Sequence, residues 1–559
     1  MNKIVLSLAL AVAAVAGASS VARAQSTCPV APAPVEVSGS ITSNTTWTAD
    51  RVYLLKGFVF VESGATLTIQ PGTIIKGDKA SKGTLTIKQG AKIEARGTAA
   101  RPIVFTSNQA PGERDRGDWG GLILAGKAPQ NIPAAPGQPL PKIEGGLTPD
   151  TYFGGTDPND NSGALQYVRI EFPGVAFTTD NEINGLTLAG VGAGTTLDHI
   201  QVSYSGDDSF EWFGGTVNAK YLVAFRGTDD EWDTDNGFTG KVQFGLSLRD
   251  PNIADVSGSN AFESDNDANG SANGPQTAPV FSNISNFIAP TFGSLSGNYK
   301  RGLHIRRNSA LSVYNSVISG YPVGLLLDGA ASEGNAASGA LQLRNNVFAG
   351  YAEARVATVL ASSSYDAKKL LTDNGNDLTS TVADLSLATE NFNLSSPFFQ
   401  PKAGSKLGAG AGFTGKAADA FFDKVSYRGA FAPEGATGPN TGNWAAGWTN
   451  FNPQITCYNA PGVTTGTAKA TADQLQQLAV VPNPSSGPAE LRFSLRRGGP
   501  ATVQVFDLTG RPVATVLAGA PLPSGDQALR LPETLRAGVY LATVTTGETS
   551  QSVRFVVVK

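Results

Sequence analysis

The chain has 559 residues, a formal net charge of −4, only 16% charged residues and 65 glycines. That length accommodates one large core plus a smaller domain, and an acidic balance without a basic block argues against a nucleic-acid partner. With 2 histidines and 2 cysteines there is almost no room for a His/Cys zinc cage or a haem site.

Residues 1–24 read as a signal peptide. Lys3 supplies the positive start, Ile4 to Ala18 the apolar stretch, and Ala22-Arg23-Ala24 the small-residue cleavage site. No later segment approaches the length of a membrane span. The mature chain is therefore expected to be exported, without a transmembrane segment, and monomeric. Cys28 lacks a preceding Leu-Ala-Gly lipobox, which argues against a lipid anchor. In an oxidising compartment Cys28 and Cys457 could pair, or both could stay free, since spacing in sequence does not give distance.

From Val37 onward the text is short strands and corners: Leu67-Thr-Ile, Thr73-Ile-Ile, Leu85-Thr-Ile, Ile93-Glu-Ala and Ile103-Val-Phe, punctuated by Gly64, Gly72, Gly83, Gly90 and Gly97. Such glycines suit corners that need a positive φ. Segments beginning at Phe281, Leu311 and Leu341 resemble one another at a step of 30 residues, and earlier relatives begin at Leu165 and Leu197. Rungs of 20 to 30 residues with short strands predict a parallel β-helix, its strands stacked ~4.8 Å apart. Periodicity loosens between Ala352 and Asp373, where Ala367-Lys-Lys-Leu-Leu predicts a short helix capping the solenoid. The β-helix domain with its capping region is placed at 25–458 and a Gly/Thr/Ala-rich linker at 459–477.

The most informative stretch is Asp207 to Asp267. Asp208-Ser-Phe-Glu-Trp-Phe-Gly, Asp230-Glu-Trp-Asp-Thr-Asp-Asn and Asn260-Ala-Phe-Glu-Ser-Asp-Asn align residue for residue. Stacking predicts Glu211, Asp233 and Glu263 in one column, with Asp235 beside Asp265. Carboxylates ~4.8 Å apart repel by about 3.5 kcal/mol at an effective dielectric of 20. Calcium would relieve this, with Asp233, Asp235, Glu263, Asp265, Asp267 and Asn269 as candidate ligands. Asp265-Asn-Asp267-Ala-Asn269-Gly270 fits the start of a calcium loop, although its twelfth position is Gln276 rather than Glu. The alternative is a solvated acidic turn. Trp212 and Trp232, if exposed beside Glu211 and Asp230, would stack on sugar rings. An enzymatic reading would set the same acids against Lys300, Arg301, His304 and Arg306. Arg116-Gly117-Asp118 is read as structural.

Val52-Tyr-Leu-Leu-Lys-Gly, Gly64-Ala-Thr-Leu-Thr-Ile-Gln-Pro-Gly-Thr, Pro102-Ile-Val-Phe-Thr-Ser and Gly117-Asp-Trp-Gly-Gly resemble secreted bacterial right-handed β-helix proteins of the pectate-lyase-like superfamily. The likeness continues through Tyr427-Arg-Gly-Ala-Phe to Asn443-Trp-Ala-Ala-Gly-Trp-Thr. It implies a fold; the superfamily's catalytic Lys, Arg or Asp constellations do not match here residue by residue. From Leu478 the pattern changes to about 80 residues of antiparallel strands, expected at 489–495, 501–506, 527–531, 538–545 and 551–558 in a small β-sandwich. Pro482-Asn483-Pro484, Gly538-Val-Tyr540-Leu and the ending Arg554-Phe-Val-Val-Val-Lys559 resemble the C-terminal sorting domain of the Bacteroidetes type IX secretion system. That resemblance implies the type IX machinery as partner and a surface or secreted location. The function expected is binding of a glycan or other extracellular polymer, adhesin-like. The alternative is a polysaccharide lyase or glycoside hydrolase acting on an acidic polysaccharide.

Overall fold

The computed structural model describes Cys28 and residues 32–178, 181–289, 295–387, 389–394, 396–459, 475–495, 499–507, 512–546 and 549–558. The signal-peptide residues and Lys559 lie outside that set, as does most of the linker.

The first unit is an all-β, right-handed parallel β-helix with three faces. On the first face Thr45–Trp47 pairs with Thr66–Ile69, and that strand with Lys92–Arg96. On the second, Ile74–Gly77 pairs with Ile103–Ser107. From Gly163–Glu171 through Val280–Ile288 one long strand per rung serves both of these faces, and in the last rungs it divides again. The third face stacks Thr84–Ile87, Leu122–Ala125, Leu186–Ala189, Phe210–Phe213, Trp232–Asp235, Phe262–Ser264, Arg301–Ile305 and Val323–Leu327 in parallel. Alternate residues point inward and pack in columns down the axis, among them Leu67, Ile93, Leu122, Leu188, Trp212, Trp232 and Leu303.

The predicted register holds in part. Val313 faces Leu343, the expected 30-residue step, and Ile200 faces Leu222 at 22 residues. Phe281, however, faces Val313 rather than Leu311, a step of 32. A shift of two residues keeps every side chain on its original face, so the apolar pattern cannot detect it.

The corner between first and second faces departs from the glycine rule. Tyr167, His199, Tyr221 and Phe244 all adopt positive φ there, as do Asn283, Asn315 and Asn345 in later rungs. A left-handed conformation costs an ordinary L-residue roughly 1–2 kcal/mol. Stacking offsets it: successive rings lie 4.3, 4.4 and 5.2 Å apart. Gly83 serves a different need from that expected of it. Its φ is not positive, and a Cβ there would sit 2.4 Å from the Leu55 carbonyl oxygen.

Ala367–Asp373 is helical as predicted, and Ala330–Ser338 is a second helix near the same end. The chain beyond these helices does more than cap the last rung. Residues 377–458 form a strap that returns along the outside of the β-helix toward its start. Asn315 Oδ1 accepts from Gly412 N (2.8 Å) and Asn283 Nδ2 donates to Tyr427 O (2.9 Å). Gln243 brackets the backbone of Asp423, and Gln201 that of Asn450, each side-chain amide acting as a strand edge. Trp444, Trp448 and Phe431 bury the strap's apolar side. At its end Cys457 is disulfide-bonded to Cys28 across 429 residues.

The second unit contains Leu475–Val481, Glu490–Leu495 and Gly525–Arg530 in one antiparallel sheet, and Pro512–Leu522, Gly499–Asp507, Gly538–Thr546 and Thr549–Val557 in another. Leu491, Phe493, Val503, Val505, Val544 and Phe555 fill the space between them. The strands at 475–481 and 512–522 were not expected from the sequence, the first because its Gln-Gln and Pro flanks resemble linker. Asn483, between two prolines that cannot donate, acts as a strand surrogate: its Nδ2 donates to Arg554 O and its Oδ1 accepts from Val556 N.

Candidate functional site: an acidic column on the third face

The strand pattern fixes which side chains meet outside the third face. In Phe210–Phe213 the aromatic residues Phe210 and Trp212 turn inward, leaving Glu211 outward. The ladder then stacks Glu211 on Asp233, Asp233 on Glu263 and Glu263 on His304. The predicted column exists and ends in a histidine.

At the corner leading into each strand a second ladder runs alongside. Asp208 Oδ1 accepts the Asp230 backbone N–H at 2.8 Å, and Asp230 Oδ1 accepts that of Asn260. Asn260 Nδ2 also donates to Asp230 (3.2 Å) and to Glu263 (3.1 Å). Asp230 thus serves the backbone of the next rung, not a ligand-binding rim.

The two ladders converge. Asp208, Glu211 and Asp233 bring carboxylate oxygens within 4.8 Å of one another, and Asp207, Asp208 and Asp229 do likewise. Burial, reinforced by mutual repulsion, pushes Asp207, Asp208, Glu211, Asp230 and Asp233 well above the usual carboxylate range. Asp229 is raised to about 6 and Asp235 to about 7, burial again leading.

A cover reaches the column from outside. Ile143, Leu147 and Phe153, in the segment before Gly163–Glu171, pack on Ile123, Ala189 and Phe213. Between Ile143 and Gly145 this anchors Glu144, which burial and Glu182 raise to about 7. Asn184, 1% exposed, donates its Nδ2 to Glu211, while its Oδ1 has no partner among the described residues. Sequence reasoning missed Glu144 and Asn184 because neither belongs to the repeat; a lone carboxylate flanked by Ile and Gly-Gly was the one available signal.

The acids of the expected calcium loop have protein partners. Arg306 bonds Glu263 and Asp265, the latter at 2.7 Å, and Arg307 takes the other Asp265 oxygen at 2.7 Å. Asp267 turns into its own loop, accepting from Asn269 N (2.8 Å) and from Ser271 N and Oγ, while Asn269 itself is exposed. Arginines and loop donors relieve the repulsion there. The group of oxygens lies one to two rungs earlier. Burial raises Glu263, but the His304 hydrogen bond and the Arg306 charge outweigh it and hold that carboxyl below its ordinary value. His304 places its other ring nitrogen 3.1 Å from Asp328.

Comparison with known proteins agrees with this architecture. Residues 39–449 match the family model of the pectate-lyase-like β-helix domain. The chain belongs to the pectate-lyase-like β-helix family. Residues 479–559 match the secretion-system C-terminal sorting domain, which marks this β-helix protein as type IX cargo delivered to the cell surface. No curated protein matches the sequence. Among solved structures, the Dettilon tailspike protein is similar at 10% identity and a TM-score of 0.20, over 56% of this chain and 62% of that one. A superposition that slight carries nothing about function.

Two further expectations for the β-helix domain are settled by parity along its strands. Trp212 and Trp232 are fully buried, Trp212 stacked on Phe238 at 5.4 Å and Trp232 donating Nε1–H to Asn286 Oδ1 at 2.8 Å. Neighbours of an outward acid must face inward, so neither ring can meet a sugar. Asp118 is also buried, accepting from Ser107 Oγ at 2.6 Å and pairing with Lys79, so Arg116-Gly117-Asp118 is structural.

Proposed function

We propose that the protein acts at the cell surface as an adhesin-like β-helix that binds an extracellular polymer through a cation-dependent site at Asp208, Glu211 and Asp233. The observation that carries this reading is the approach of three carboxylates to within 4.8 Å with no arginine ion-paired to them among the described residues. A divalent cation held by oxygen ligands would relieve them. Calcium suits best, because it accepts six to eight oxygens in flexible geometry. The unpartnered Asn184 Oδ1 supplies a neutral oxygen beside Glu211. On a half-open face such an ion retains positions for the hydroxyls and carboxylates of a glycan.

A lyase or glycosidase reading has one observation in its favour. Glu144, held at about 7, can carry or release a proton near neutral pH beside the column, as a general acid or base requires. Both readings meet in one assay. The purified protein, with calcium or chelator, is incubated with uronic-acid and neutral polysaccharides while retention, unsaturated product and reducing ends are followed. Calcium-dependent retention lost in Asp233→Asn, with no product, is the expected result. Product abolished by that substitution would replace binding with catalysis, and equal retention in chelator would remove the cation from the site.

A further inference from the structure

The end of the strap lies over an early rung of the helix, far from the acidic column. Lys76 is 8% exposed and shares the outward side of its strand with Ile74. Ile74, Val52 and Val104 close into a small apolar cluster under the Tyr458 ring. Among the described residues no carboxylate pairs with Lys76. Its Nζ instead donates to Oδ1 of Asn459, the residue after Tyr458, at 3.2 Å.

The same outward column contains an acid. Lys76 is level with Thr106, and the register Phe105–Ile170 carries the column on to Glu171, two rungs or ~9.6 Å along. Glu171 is fully buried; Oε1 accepts the Tyr458 hydroxyl at 2.7 Å, and Oε2 has no hydrogen-bond partner among the described residues. The Lys76 amine and the Asn459 amide therefore meet where the strap docks on the helix, while Glu171, two rungs along, is ion-paired with Arg169 at 3.5 Å.

We propose that Lys76 and Asn459 are joined by an intramolecular isopeptide bond formed once the strap has docked. The lone pair of the neutral Nζ amine attacks Asn459 Cγ, forming the new C–N bond. The Cγ–Nδ2 bond then breaks, and Nδ2 leaves as ammonia carrying a proton from the amine. Two amine hydrogens become one amide hydrogen and one on the ammonia, so no oxidant or cofactor is needed. Low polarity suits this attack, since burial disfavours the charged form of the amine. Burial accordingly pulls the Lys76 amine down to about 8, with Arg114 adding repulsion. The bond would close the strap beside the Cys28–Cys457 disulfide and just ahead of the sorting domain.

Mass spectrometry of the full-length folded chain tests this. The reduced, denatured protein is expected to be lighter than its sequence by one ammonia, and a digest to yield one branched peptide containing Lys76 and Asn459. Lys76→Arg and Asn459→Ala should each restore the sequence mass. Recovery of Lys76 and Asn459 in separate linear peptides from the unaltered chain overturns the proposal.

Discussion

Glu144 is where cover, charge and column meet, and its titration has a definite sign. Its folded-state pKa of about 7 lies above its ordinary value of 4.5. The stability it contributes is therefore fully present below about 4.5 and lost as pH rises through about 7. In chelator, the melting temperature should fall between pH 5 and 8, and Glu144→Gln should flatten that fall. A melting temperature indifferent to pH over this range would contradict the assignment. Inward and outward neighbours on one strand should also behave oppositely. Trp232→Ala should cost about 3–5 kcal/mol through a core cavity, whereas Asp233→Asn should leave the calcium-free protein no less stable, because it removes a repulsion. Denaturant melts of both variants measure the contrast.

At the level of elements, the third face divides into an acidic stretch and a compensated one. Arg306 binds Glu263 and Asp265 with a side chain only 26% exposed. Removing one partner of a buried ion pair strands the other, at a cost of about 3 kcal/mol or more. Arg306→Gln should therefore lower stability by that order, and doubling it with Asp265→Asn should recover part of the loss. Full additivity in that cycle would mean the residues do not interact. A neutral ladder runs at another corner, where Asn346 Nδ2 donates to Val313 O and Asn376 Oδ1, and its own Oδ1 accepts from Ser316 N. Inward asparagine recurs there because each rung leaves one backbone N–H without a strand partner.

For the whole molecule, the strap is the feature that turns a stack of rungs into a closed object. A disulfide closing a long loop stabilises chiefly by restricting the unfolded chain, typically by 2–4 kcal/mol. Cys28→Ser with Cys457→Ser should lower the melting temperature, with proteolysis beginning near the strap's end around residues 450–459. Unchanged protease resistance would show that Arg114, bonded to Thr456 O at 2.9 Å, and the buried Tyr458 hold the strap without it. Delivery is a separate property: removal of residues 475–559 should retain a folded β-helix inside the cell envelope, and surface appearance of that truncation would contradict the sorting role.

The repeat in Asp207–Asp267 determined the fold, the stacking of Glu211, Asp233 and Glu263, and the inward parity of everything between them, because a period-two strand within a fixed repeat leaves no freedom in these. The tail motif likewise determined the export route, since Pro482-Asn483-Pro484 and Gly538-Val-Tyr540 lie in the antiparallel unit they announced. Tertiary structure decided the rest. Which acids converge depended on Arg306 and Arg307 arriving from another rung to claim Asp265, and on Glu144 descending from a segment outside the repeat. The strap's path joins residues 97 to 249 positions apart, and the pairing of Cys28 with Cys457 and the meeting of Lys76 with Asn459 join residues separated by 383 positions or more. Local periodicity reports which face a side chain takes; only the closed chain determines what stands opposite it.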